Sequence, residues 1–360
     1  MQELNASPRA TRSLAPLCLS VLLGAGFALS LPGLAGITQQ AQASDTKTLR
    51  AVALHRTGES YKKWHWLDER LQEETDGRYS LEIVTADELG MSGTEFLRVL
   101  SSGMIDFAEI TTGYVAGDFP MIEASELPGL ASSYDDYRAI TDAWMTHVVA
   151  ENEDRMGGKV ISSFAWGPMH LYSTFPVDEL SDLEGKKIRV FSSSQAKYLE
   201  ELGAEPMSLP MSELYGALQR GLIDGMVTGA EHIGRMSLWE TTDHVSDIGI
   251  APATGYIVVS QRTWNDLPDE VQATIEEFSD EFSDEGWRLG MKNAELGFEI
   301  AQENGMNLDH AQLPEAWWND IQNISQEVVL PWWPGRVSDS EGAAQSFNTH
   351  IAPLSGIRIE

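Results

Sequence analysis

The sequence predicts an α/β protein built from two like lobes, and three observations carry that reading. Leu100-Ser-Ser-Gly103-Met-Ile-Asp106 and Leu218-Gln-Arg-Gly221-Leu-Ile-Asp224 are near copies, each a helix end, a glycine stop, an apolar pair and an Asp. The stretches around the first copy read β-α-β-α-β, and a similar order surrounds the second. The chain of 360 residues is also long enough for two separate cores. Chains of this kind place their ligand between the lobes.

The elements follow in order. Thr48 to Leu54 alternates as a first strand, and Ser60 is placed to cap a helix whose Trp64, Leu67 and Leu71 share one face. Asp76-Gly77 ends it, and Tyr79, Leu81 and Ile83 alternate as a second strand. Thr94 opens the helix of Phe96, Leu97 and Leu100, Gly103 closes it, and Ile105 to Thr111 is the third strand. That order predicts a parallel sheet with right-handed crossovers. The second unit opens near Lys159 with a strand over Val160 to Phe164, then a turn at Leu183 to Gly185 and a strand over Lys187 to Phe191. Ser192 to Ser194 caps a helix of Tyr198, Leu199 and Leu202, and Ser212 caps one of Leu214, Ala217 and Leu218. Leu222 to Thr228 then forms a strand. Residues 269–305 have helical spacing long enough to run across both lobes, with Gly286, Gly290 and Gly297 as points of kinking or interruption. Trp317-Trp318 and Trp332-Trp333 read as core packing or helix docking.

Composition narrows the classes. Arg9 and Arg12, the apolar run Leu17 to Ala35 and the small residues of Ala41-Gln-Ala43 form a secretory leader cleaved after Ala43. Cys18, the only cysteine, falls inside that leader without a convincing lipidation site before it, so the exported chain has no disulfide and no cysteine metal site. Nothing after residue 43 is apolar for long enough to span a bilayer. A net charge of −31, dispersed along the chain, argues against nucleic acid and anionic membrane as partners.

Residues 182–228 are the most specific part. Asp182-Leu-Glu-Gly-Lys-Lys-Ile-Arg189-Val, Leu202-Gly-Ala-Glu-Pro206 and Leu209-Pro-Met-Ser-Glu213-Leu-Tyr215-Gly-Ala-Leu-Gln219-Arg-Gly-Leu-Ile-Asp224-Gly225 form one ordered signature. It resembles the solute-binding proteins of tripartite ATP-independent periplasmic (TRAP) transporters. Asp87-Glu-Leu-Gly90, Gly113-Tyr114 and Leu267-Pro-Asp-Glu-Val-Gln272 extend the likeness over residues 48–335. The resemblance implies a two-lobed periplasmic binding protein fold of type II, with hinge strands and a long helix spanning both lobes. It implies lobe 1 from 44–170 plus 257–290, and lobe 2 from 171–256 plus 291–360. It further implies a monomer in the periplasm, without cofactor or metal, that closes on a small solute and docks on the small and large subunits of an ion-driven permease.

The family's ligand anchor is an arginine in the strand matching Lys187 to Phe191, here Arg189. A guanidinium presents parallel donors that match a carboxylate. Thr228 stands where the family commonly has asparagine, and Trp166-Gly-Pro-Met-His170-Leu-Tyr172 lacks the second arginine often found there. Trp166, His170 and Tyr172 offer ring surface and neutral donors, or ordinary core, and Tyr256 has the same standing. Glu109 sits in a strand expected to end at the cleft. It is read either as a partner of Arg189 or, with Glu59, as recognition for an amine. The chain lacks Gly-x-Ser-x-Gly, His-Glu-x-x-His, a Walker loop and a dinucleotide fingerprint, so it reads as no enzyme. The expected role is delivery of a carboxylate held by Arg189. The alternatives are delivery of an amine recognised by Glu109, and a periplasmic ligand sensor.

Overall fold

The computed structural model describes residues 46–360, so the expected leader, with Cys18 and the cleavage point, lies outside the described residues. In chain order the strands are β1 (Lys47–Ala53), β2 (Tyr79–Thr85), β3 (Phe107–Thr111), β4 (Gly158–Gly167), β5 (Met169–Ser173) and β6 (Lys187–Val190). They continue as β7 (Glu205–Ser208), β8 (Gly225–Gly229), β9 (His244–Ser246), β10 (Ala253–Ser260) and β11 (Asn307–His310). Two sheets result, of order β2-β1-β3-β10-β4 and β11-β9-β5-β8-β6-β7.

The predicted β-α-β-α-β order gives the expected parallel pairing of β1 with β2 and β3. Helix Lys62–Glu74 crosses between β1 and β2 and buries Trp64, Leu67 and Leu71, the face its spacing predicts. Ser60 is not its cap. The chain enters through a 3-10 turn, Glu59–Tyr61, and the Ser60 hydroxyl instead accepts from Asn293 Nδ2 at 2.6 Å. Ser212 likewise caps nothing, because a 3-10 turn, Met211–Glu213, leads into helix Leu214–Gln219. Ser192 does cap its helix, accepting from Gln195 N at 3.2 Å.

One assignment changes the architecture. Val160 to Phe164, read as the opening strand of the second unit, belongs to β4 of the first sheet, antiparallel to β10. Its run ends at Gly167, whose φ of 124° an L side chain rarely adopts, and Pro168 follows. The chain then continues as β5 in the second sheet, so one extended passage serves both sheets. The first sheet resumes at Ala253, earlier than the 257 boundary expected from the sequence. Both sheets are mixed, since β10 runs antiparallel to β3 and β4, and β5 antiparallel to β8 and β9.

The third helical region is interrupted at Phe278, between helices Asp269–Glu277 and Ser279–Glu303. The glycines expected to kink it serve another purpose. A Cβ on Gly290 would strike the Ala165 carbonyl of β4, and one on Gly297 would strike the Ala230 carbonyl just beyond β8. The 25-residue helix therefore lies against backbone of both sheets. Trp333 docks the C-terminal helices on the segment 120–144, with its ring 6.1 Å from Trp144 and its Nε1 donating to Pro120 O at 3.2 Å. Residues beyond 330 therefore pack on a segment of the first half of the chain, although the sequence reading placed 291–360 wholly in lobe 2. Among the described residues, no helix is long and apolar enough to cross a membrane.

Candidate functional site

Where β1, β3, β4, β6 and β8 end, their outgoing chains enclose a cavity of about 370 Å³, within the range of small-ligand sites. Both sheets contribute: Thr111 and Trp166 come from the first, and Arg189 and Thr228 from the second. The long helix supplies Asn293.

Arg189 is 8% exposed and lies on β6, beside β8. Its Nε and Nη1 donate only to backbone, Leu209 O at 3.4 Å and Val227 O at 3.3 Å. No Asp or Glu pairs with it among the described residues. Burial pulls its pKa down, opposed only by Tyr114. A buried guanidinium with weak backbone contacts keeps donors for an incoming anion.

Trp166 forms one wall. Its Nε1 donates to Thr111 Oγ1 at 3.2 Å, and Lys63 Nζ lies 5.0 Å from its ring centroid. Asn293 Nδ2 reaches Trp166 O at 3.4 Å, while its Oδ1 accepts from Glu59 N at 2.7 Å. One amide thus ties the turn after β1 to the cavity wall. Glu59 also lines the cavity, with its carboxylate 2.7 Å from Lys62 Nζ. Thr228 Oγ1 lies 3.2 Å from His232 Nδ1.

The other four residues expected at the site do not line it. Glu109 is 1% exposed and bound inside the first lobe: it pairs with Lys63 at 2.7 Å, accepts from Trp64 Nε1 at 2.9 Å, and accepts from Leu54 N. It is therefore neither a partner of Arg189 nor a free acid for an amine. Thr111, on the same side of β3, does reach the cavity. Two residues earlier along a strand is roughly 6–7 Å deeper, and there the side chain meets helix Lys62–Glu74. His170 faces the other way, its Nε2 2.9 Å from Ala311 O and its ring 5.0 Å from Phe298. Tyr172 and Tyr256 are fully buried core residues.

The match to a family model decides what this cavity belongs to. Residues 53–330 fit the model of the bacterial extracellular solute-binding proteins, family 7. The chain belongs to that family, the solute-binding receptors of TRAP transporters. They are receptors and not enzymes. The chain is 27% identical over 220 residues to a solute-binding protein of Sulfitobacter, covering 59% of this chain and 66% of that one. In three dimensions it resembles an extracytoplasmic solute receptor of Bordetella pertussis that binds pyroglutamic acid. That likeness has a TM-score of 0.72 at 19% identity, covering 84% of this chain and 100% of that one. It also resembles a Rhodoferax ferrireducens TRAP protein in complex with copurified benzoate, with a TM-score of 0.72 at 22% identity, covering 86% and 99%.

Several residues lining this receptor's cavity were not singled out in its sequence. Asn293 left a readable signal: it sits between Leu289 and Leu296, a polar residue on the apolar face of the long helix. Glu231 and His232 open helix Glu231–Met236, with Ala230 alone between it and the end of β8. His55 lies near Arg235, and burial first, then that charge, lowers its pKa. Tyr114, partly buried in the cavity wall, has its pKa raised by desolvation, with Arg189 and Arg235 opposing.

Proposed function

We propose that this receptor captures a small organic acid in the periplasm, holds its carboxylate on Arg189, and delivers it to the membrane subunits of an ion-driven TRAP permease. One observation carries the reading: Arg189 is a buried cation that lines the cavity and has no acidic partner among the described residues. A charge so placed is costly unless an anion completes it. The two related structures named above hold carboxylic acids, which fits. Leader residues 1–43 support export.

Contacts between the lobes support a coupling of capture to closure. The Phe191 ring lies against the Cα of Gly113, and Ser194 N donates to Glu123 Oε1 at 3.1 Å. A solute that touches both sheets favours the closed form by its differential affinity alone.

A thermal-shift screen of small acids and amines, followed by calorimetry, tests the proposal. Arg189→Gln is expected to weaken the best acid by about 30-fold or more, since it removes one member of a buried charge pair. If the variant binds that acid as tightly as the native protein does, Arg189 is not the anchor. If only amines bind, the acid reading fails.

A further inference from the structure

Glu231 and His232 line the same cavity, and a bare carboxylate ligand gives them nothing to do. The cavity is lined by two acids, Glu59 and Glu231. Glu59 is paired with Lys62. Glu231 has no Lys or Arg partner among the described residues. Its Oε1 lies 3.0 Å from His232 Nδ1, and its Oε2 is buried with no hydrogen-bond partner. The carboxylate folds over the Cα of Gly229, where any Cβ would collide with it, so the glycine makes its position possible.

His232 completes the arrangement. Its Nδ1 lies 3.0 Å from Glu231 Oε1 and 3.2 Å from Thr228 Oγ1, so the ring is held beside the carboxylate. Its Nε2 too is buried without a partner. Two buried polar atoms without partners, one of them the carboxylate acceptor Glu231 Oε2, therefore stand just beyond β8. Arg189 is on the neighbouring strand, bonded to Val227 O just before Thr228. An anion anchor and an unpaired carboxylate oxygen thus lie at the ends of the neighbouring strands β6 and β8. Acceptors left desolvated and unpaired would count against any ligand that brings no donor.

We propose that the ligand carries an N–H donor in addition to its carboxylate, as a small amino acid or lactam acid does, and that Glu231, backed by His232, reads that donor. The inference rests on the carboxylate reading of Arg189 and narrows it to one ligand class.

Matched probes test it by calorimetry on the full exported chain: pyroglutamate against its ring-oxygen lactone, and proline against cyclopentanecarboxylate. In at least one pair the native protein is expected to favour the N–H member by about tenfold or more, the size of one hydrogen bond to a charged group. Glu231→Gln is expected to bring that ratio to within about threefold, because an amide no longer offers two acceptor oxygens. Glu231→Ala and ligand-free melting curves show that the loss is not one of folding. The inference is overturned if the N–H-free members bind as well or better, if the preference survives Glu231→Gln, or if neither N–H probe binds at millimolar concentration. Arg189→Gln separates the two levels. Loss of both members of a pair with no N–H preference leaves the carboxylate reading standing and this inference refuted. Unchanged binding in Arg189→Gln refutes both.

Discussion

Lys63 and Glu109 are buried together beneath Trp166, with side chains 1% and 0% exposed. Burial lowers the Lys63 pKa and the Glu109 charge opposes that shift. Lys63 also donates to Ser60 O at 3.0 Å and lies 4.2 Å from the Phe164 ring centroid. The pair thus links the turn after β1, β3 and the cavity wall. Removing one partner leaves the other charge desolvated, so Glu109→Ala should cost about 3–5 kcal/mol of stability in urea denaturation. Glu82→Ala, which breaks an exposed pair with Arg50, should cost less than about 1 kcal/mol in the same measurement. If the two variants lose stability equally, the buried pair has no special structural role. At this scale the sequence was informative about Arg189, a charge within an apolar strand. It was misleading about Glu109, because Lys63 is 46 residues away and sits on a helix whose apolar face gave no sign of a buried lysine.

Among the elements, the long helix shows how small residues were legible in kind but not in purpose. Glycines 286, 290 and 297 weaken a helix by propensity, yet helix Ser279–Glu303 runs through all three. They are sites where another backbone comes too close for a side chain. At Gly290 both the Ala165 carbonyl and the Tyr134 hydroxyl lie inside contact distance of a Cβ. Gly290→Val should therefore lower stability by about 1–3 kcal/mol in spite of a better helix propensity, since the strand backbone cannot rotate away. An unchanged or raised melting temperature would show that the helix can shift off β4. The strands divide in the same way. The alternation of β1 and β2 was visible, whereas the short strands β7, β9 and β11, of four, three and four residues, carry too little pattern to be seen.

For the whole molecule, a buried acid stands where the chain returns to the first sheet. Glu126 accepts from the backbone N and the hydroxyl of Thr254, at the start of β10. Burial pushes its carboxyl up to about 8, with the Thr254 bonds opposing and Glu123 nearby adding to the rise. An acid whose folded value exceeds its ordinary 4.5 holds a proton that the unfolded chain releases. Its contribution is full below that ordinary value and is lost as pH rises toward about 8, by about 1 kcal/mol per pH unit. Glu126→Gln keeps an acceptor for Thr254 and should flatten the fall of melting temperature over that window. A variant that tracks the native profile would show that Glu126 is ionised in the folded protein. The first strands and their crossover helices, the apolar faces those helices bury and the duplicated helix-to-strand corner could be read from the chain, because each is written in neighbours a few residues apart. Arg189 stood out through the family signature around it. Which acid reaches the cavity could not be read. Glu109 and Glu231 follow similar corners of the two lobes, and a buried lysine from one helix and an absent side chain at Gly229 decide that the first is internal and the second lines the cavity. Those are contacts between elements, and only the packing of the folded chain brings them together.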